Sequence, residues 1–205
     1  GHTPLEAAWG VTVLDTLWGR AMSRGGLHCS WRSDVVSLEA SKRHTFSKSM
    51  SRSGKGVQGV LLRVQPAGDK RVALFNTHLD PRMPGHCISL QAQEVMGFME
   101  ECLEEWNVVP ENTAVLLCGD LNSSVRQSGA LFPGGKGSNA AEQPTYDPQH
   151  NPYAMWVDDA GALDHILTFL ELGGRRYAQV ELCDFKVHSS VVVSDHYPVS
   201  VTVNF

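Results

Sequence analysis

Six side chains in this 205-residue chain stand where polar groups can converge on a reaction: His78, Asp120, Asn122, Asp164, Asp195 and His196. They fall in four clusters: Asn76-Thr77-His78-Leu79-Asp80, Gly119-Asp120-Leu121-Asn122, Leu163-Asp164-His165-Ile166 and Ser194-Asp195-His196-Tyr197-Pro198. Each cluster lies within or at the end of an apolar pattern that predicts a strand, and strand ends let a rigid scaffold aim polar groups into one cleft. Asp120 and Asn122 are two apart, so on an extended chain they share a face. A carboxylate and a carboxamide there suit an oxygen-loving cation and a phosphate oxygen. Gly, Asp and Asn also favour turns, and taken alone the turn is the better account. In Ser194-Asp195-His196, a carboxylate beside an imidazole can hold a metal or orient the ring, which then works as a general base near neutral pH. A polar turn before the last strand would have the same residues. A lone strand-end histidine such as His78 is more often structural than catalytic. Asp164 lies in an apolar strand, where a carboxylate is costly unless paired, so a partner histidine or a metal is expected.

In order and spacing, the four clusters resemble the motifs of the endonuclease/exonuclease/phosphatase superfamily, which has the deoxyribonuclease-I-like fold. The resemblance covers residues 54–205. It implies an α/β protein, a four-layer α/β/β/α sandwich of two mostly antiparallel sheets with the first part of the domain missing. By the same resemblance His196 is the base that activates water and Asp195 beside it is a metal ligand. Asp120 orients or activates that water, and Asn122 holds a phosphate oxygen. Asp164 pairs with His78, and His78 donates to the phosphate as charge grows. Mg²⁺ suits an all-oxygen site best, with Mn²⁺ or Ca²⁺ as alternatives. The family's early Asn and its metal-binding Glu in a Gln-Glu pair have no match. Gln93-Glu94 follows the His78 motif and lies on an amphipathic helix, where a solvated face is expected. The chain therefore looks like an N-terminally truncated domain, expected to hold metal poorly and to be inactive as it stands.

Within the superfamily the sequence is most similar to the neutral sphingomyelinase-type phosphodiesterases. Gly54-Lys55-Gly56-Val57, Thr145-Tyr146-Asp147-Pro148 with Asn151-Pro152, and Ser194–Val199 carry that similarity. Inositol-phosphate phosphatases usually have Trp-Cys-Asp-Arg where this chain has Ala162-Leu163-Asp164-His165. The implied partner is a phosphodiester substrate, foremost a phospholipid headgroup. Lys55 is then a candidate phosphate contact, although a lone loop lysine is more often solvated. Tyr153, Met155 and Trp156 would either rest on a lipid interface or pack over a sheet edge. A Mg²⁺-dependent nuclease and a non-enzymatic binding member are the competing readings.

The remaining sequence bounds these expectations. Apolar residues make up 42% and charged residues 19%, ordinary for one globular domain spanning residues 1–205. A net charge of −5 gives no basic stripe for duplex nucleic acid, which is the less favoured substrate. Lys42, Arg43, Lys48, Arg52 and Lys55 are scattered and predict a solvated loop. Five cysteines lack zinc-site spacing; Cys118 is expected in the core, and the redox compartment stays open. No apolar run is long enough to cross a membrane, and the first residues do not form a signal peptide, so localisation is open. Strands are predicted at Val57–Val64, Val72–Leu79, Thr113–Cys118, Ala162–Leu170, Ala178–His188 and Val199–Phe205, with hints from Val35 and at Val11–Leu14. The first two form a hairpin. Ile88–Trp106 predicts an amphipathic helix, and residues 128–143 predict a surface loop.

Overall fold

A computed structural model of the protein describes residues 27–49, 55–65, 68–81, 85–139, 141–154 and 159–205. Val11–Leu14, Arg52, Met155 and Trp156 lie outside the described residues.

Strand β4 (Thr113–Asp120) explains the architecture best. All eight of its residues are buried, as an apolar run covered on both faces requires. It pairs in parallel with β3 (Arg71–His78) and antiparallel with β6 (Asp164–Phe169). On the far side of β3 come β2 (Gly56–Val64) and β1 (Val36–Thr45), both antiparallel. A short β5 (Gly135–Gly137) closes the other edge, giving the order β1-β2-β3-β4-β6-β5.

The parallel β3–β4 pair needs a crossover. Helix α1 (Gly85–Glu105) supplies it. Its apolar stripe, Ala92, Val95, Met99, Cys102 and Leu103, is buried with Phe75 and Leu117 from one face of the sheet. Phe75 stacks on Trp106 and meets Phe98 edge-on. The opposite face buries Val60, Leu62, Val72 and Leu116 against Leu182 and Val203. Those two belong to a second, two-stranded sheet of β9 (Glu181–Val187) and β10 (Val199–Asn204). A two-residue hairpin, β7 (Glu171–Leu172) with β8 (Arg175–Arg176), lies between β6 and β9 in sequence.

The expected α/β sandwich is present as a helix, a mixed central sheet and a second sheet. Among the described residues the second sheet has two strands, and no helix covers its outer face. No helix of the described residues is long and apolar enough to cross a membrane.

Three local expectations change. Residues 128–143 are not all loop. Helix α2 (Val125–Leu131) begins at Ser124, whose side chain accepts from Gln127 N–H while the Gln127 side chain accepts from Ser124 N–H. Lys42 and Arg43 belong to β1 rather than to a solvated loop, and Lys42 reaches Glu101 and Glu105 on α1. Glu94 is likewise no solvated helix residue. It accepts from Ser47 N–H (2.9 Å) and Ser47 Oγ (2.6 Å) and meets His44 Nε2 (2.8 Å), tying α1 to the end of β1.

Candidate active site

Strand register brings the first three groups together. His78 is opposite Asp120 in the parallel β3–β4 ladder, and Asp120 is opposite Asp164 in the antiparallel β4–β6 ladder. Three distant positions thus form one row across the end of the sheet. Gly119 makes the row possible. It sits at φ +137°, and a Cβ there would lie 1.9 Å from Thr77 O, so only glycine fits beside β3.

His196 enters from the segment before β10. Its Nδ1–H donates to Asp164 Oδ2 at 2.7 Å. This corrects the expected Asp164–His78 pair. Asp120 stands between β3 and β6 in the sheet, so His78 reaches Asp120 instead (Nε2 to Oδ2, 3.1 Å). With Nδ1 committed, His196 Nε2 faces Asp120 Oδ2 across 3.8 Å. One buried carboxylate is therefore flanked by two imidazoles.

Lys55 is not solvated. It is 8% exposed, and its Nζ lies 2.5 Å from His78 Nε2. A single ring nitrogen cannot donate to Asp120 and accept from Lys55 at once, so the two contacts describe alternative proton positions. Asn122 has a left-handed backbone at φ +45°, and its N–H donates to Asp120 Oδ1. Its Nδ2 donates to Leu79 O at 2.8 Å. The carboxamide has a second N–H, so holding a phosphate oxygen remains compatible with that bond.

Asp195 does not join the tightest cluster. Its Oδ1 accepts from Ser194 Oγ. The ligand atoms within 4.8 Å of one another belong to Asp120, Asp164 and His196. Carboxylates predominate, with Asp195 adding a third next in sequence to His196, and that donor chemistry fits a hard divalent cation. One imidazole nitrogen stands where an all-oxygen set was expected.

No protein-family model matches the sequence, and no curated protein matches it. Solved structures do. An endonuclease/exonuclease/phosphatase family protein from Bacteroides thetaiotaomicron aligns with a TM-score of 0.60 at 15% identity, over 84% of this chain and 67% of that one. TDP2 from D. rerio, complexed with a single-strand DNA product, aligns with a TM-score of 0.57 at 18% identity, over 85% and 71%. The human Nocturnin catalytic domain with a bound sulfate anion aligns at 0.59 and 12% identity, over 85% and 62%. The chain has the fold of the endonuclease/exonuclease/phosphatase proteins. At these identities the likeness concerns the fold.

In this endonuclease/exonuclease/phosphatase fold the site is electrically polarised. Burial raises the Asp120 carboxyl pKa, but the His78 hydrogen bond, the His78 and His196 charges and the Asn122 N–H outweigh it, so Asp120 stays ionised below the usual carboxylate range. Burial pulls the His196 pKa down. The Asp164 bond and the charges of Asp164, Asp120 and Asp195 more than reverse that, raising it to about 9. In the metal-free chain His196 is therefore an imidazolium at neutral pH, and a base only after it loses that proton.

The residues that frame His196 went unnamed as site residues. Thr145 Oγ1 accepts from Leu163 N–H (3.0 Å) and Asp164 N–H (3.1 Å). Asn151 Nδ2 donates to Ser194 O (2.9 Å) and Asp195 O (3.2 Å). The Tyr146 ring meets the His196 ring edge-on at 5.3 Å. Their signal was the run of turn formers from Asp147-Pro148 to Asn151-Pro152. It marks a turn but not what the turn holds.

Proposed function

We propose that the chain is a divalent-cation-dependent phosphodiester hydrolase. One observation carries this: the buried Asp120 carboxylate lies between His78 (3.1 Å) and His196 (3.8 Å), and Asp164 fixes the His196 tautomer. In-line displacement at phosphorus needs a positioned nucleophile, a proton acceptor for it and donors for the charge that grows on the phosphoryl oxygens. His196 Nε2 is the working nitrogen because Asp164 occupies Nδ1. Asp120 orients the nucleophile. His78, Lys55 and the second Asn122 N–H face the opposite need, stabilising negative charge. Asp120 and Asp164, whose carboxylates converge beside His196, would hold Mg²⁺, or Mn²⁺ in its place, with Asp195 as a further carboxylate. The cation, when bound, supplies charge neutralisation for the phosphoryl group.

The finer reading is a sphingomyelinase-like enzyme acting on a phospholipid headgroup. The motifs around Lys55, Thr145 and Ser194 support it, as do two exposed apolar side chains. Tyr153 is 58% exposed and Val193 66% exposed, on two segments that Asn151 ties together beside His196. Rings and aliphatic side chains left in solvent suit a peripheral membrane contact. A second reading, hydrolysis of single-stranded nucleic acid, is favoured by the likeness to TDP2 with its single-strand DNA product. The net charge of −5 weighs against tracking along a nucleic acid.

The full-length protein, loaded with Mg²⁺, should be assayed in parallel on sphingomyelin vesicles and on a single-stranded oligonucleotide. Phosphocholine release with an intact oligonucleotide supports the lipid reading. Cleavage of the oligonucleotide alone replaces it with the second. Inertness toward both, and toward bis(p-nitrophenyl) phosphate, refutes the hydrolase.

A further inference from the structure

The end of β4 and the turn after it carry two site groups, Asp120 and Asn122, and keep Asn122 at φ +45°. A non-glycine residue stays in that region only when its surroundings fix it. One side of the turn is tied to the end of β3: Leu79 N–H donates to Asp120 O at 3.0 Å, and Asn122 Nδ2 donates to Leu79 O at 2.8 Å. The other side is tied to β6 and the residue before it. Leu121 N–H donates to Leu163 O at 2.9 Å, and His165 Nε2 lies 2.7 Å from Ser123 O. His165 is 3% exposed, and no step described above uses it. A carbonyl oxygen only accepts, so His165 Nε2 must carry the proton. Ser123 Oγ is buried and has no hydrogen-bond partner among the described residues, so the His165 contact falls on the carbonyl of residue 123 and not on its side chain. Neighbouring residues on a strand point to opposite sides. Asp164 therefore sets His196 while His165 reaches the Asn122 turn.

We infer that His165 is a positioning residue: its Nε2–H clamps the Ser123 carbonyl and so holds Asp120 and Asn122 in register with His78 and His196. The inference rests on the phosphodiesterase reading and extends it to a group that touches no substrate. Misplacing reactive groups by about an ångström costs about 10- to 100-fold in rate, so a lost clamp should appear in kcat before KM.

The test uses the full chain. Long-range ¹H–¹⁵N spectra of the imidazoles should show His165 with its proton on Nε2; a proton on Nδ1 alone overturns the clamp. His165→Leu fills the ring volume without a donor, His165→Asn places its amide near the Nδ1 position, and His165→Gln places an N–H near Nε2. With Mg²⁺ and bis(p-nitrophenyl) phosphate, kcat should fall roughly 10- to 100-fold in the Leu and Asn variants, with KM nearly unchanged and most of the rate restored in the Gln variant. Wild-type kcat in His165→Leu, or a Gln variant no better than Asn, overturns the inference. Should His165→Leu fail to fold, the Gln–Asn comparison still decides. An inactive wild type sinks the phosphodiesterase reading but leaves the clamp to two other observations. These are the His165 tautomer and the Asn122 backbone amide resonance, which should shift in the Asn variant and hold in the Gln variant.

Discussion

Burial alone would strip the proton from His196; three carboxylates keep it on. In metal-free protein an NMR titration of His196 should centre near 9, and Asp164→Asn should move it well down, because the hydrogen bond and the strongest opposing charge go together. The folded pKa lies above the ordinary value of 6.5, so the stabilisation from this proton is full below pH 6.5 and lost as pH rises through about 9. Denaturant unfolding of the metal-free chain should lose about 3 kcal/mol over that window, and His196→Ala should flatten the loss. The same substitution should abolish turnover. Lys55 offers a second measurement at this scale. If it meets growing charge on phosphate, Lys55→Met lowers kcat by about 10²–10³ with the fold retained; near-wild-type kcat would remove Lys55 from the chemistry.

At the scale of elements, the site follows from register. A parallel β3–β4 pair and an antiparallel β4–β6 pair align His78, Asp120 and Asp164, and a slip of one residue in either ladder would turn one of the three to the opposite face. Gly119 pins that register by letting the β4 backbone approach Thr77. Gly119→Ala puts a Cβ into the Thr77 carbonyl at a backbone angle that disfavours side chains, and should cost roughly 3 kcal/mol or more in a thermal melt. A melting point within a degree or two of wild type would show that the β3–β4 end relaxes freely. Elements were legible to the extent that their burial was uniform. Thr113–Cys118 and Ile88–Trp106 were readable because one is apolar throughout and the other repeats at helical spacing. Helix α2 was missed because residues 128–143 are rich in Gly, Ser and Ala, although Ser124-x-x-Gln127 is a capping signature.

At the scale of the whole molecule, the proposed hydrolysis calls for a divalent cation. Asp120 and Asp164 beside His196 suit a divalent cation, and together with Asp195 they hold the imidazole in its protonated form. Removing divalent ions with EDTA should abolish phosphodiester hydrolysis, and Mg²⁺ or Mn²⁺ should restore it; full activity in EDTA would refute a cation-dependent reaction.

The sequence alone named His78, Asp120, Asn122, Asp164, Asp195 and His196, because local pattern records which polar groups sit at the ends of buried strands. It also anticipated the α/β layering, because apolar periodicity is local. It could not say which partners meet. Asp164 takes His196 rather than His78 because β4 intervenes between their strands. Lys55 is buried against His78, although its neighbours in sequence are those of a loop. His165 and Thr145 lie within recognised motifs, but the contacts by which they hold the site do not show in those motifs. Such pairings depend on register and on segments far apart in the chain, and only the folded chain brings those groups within hydrogen-bonding reach.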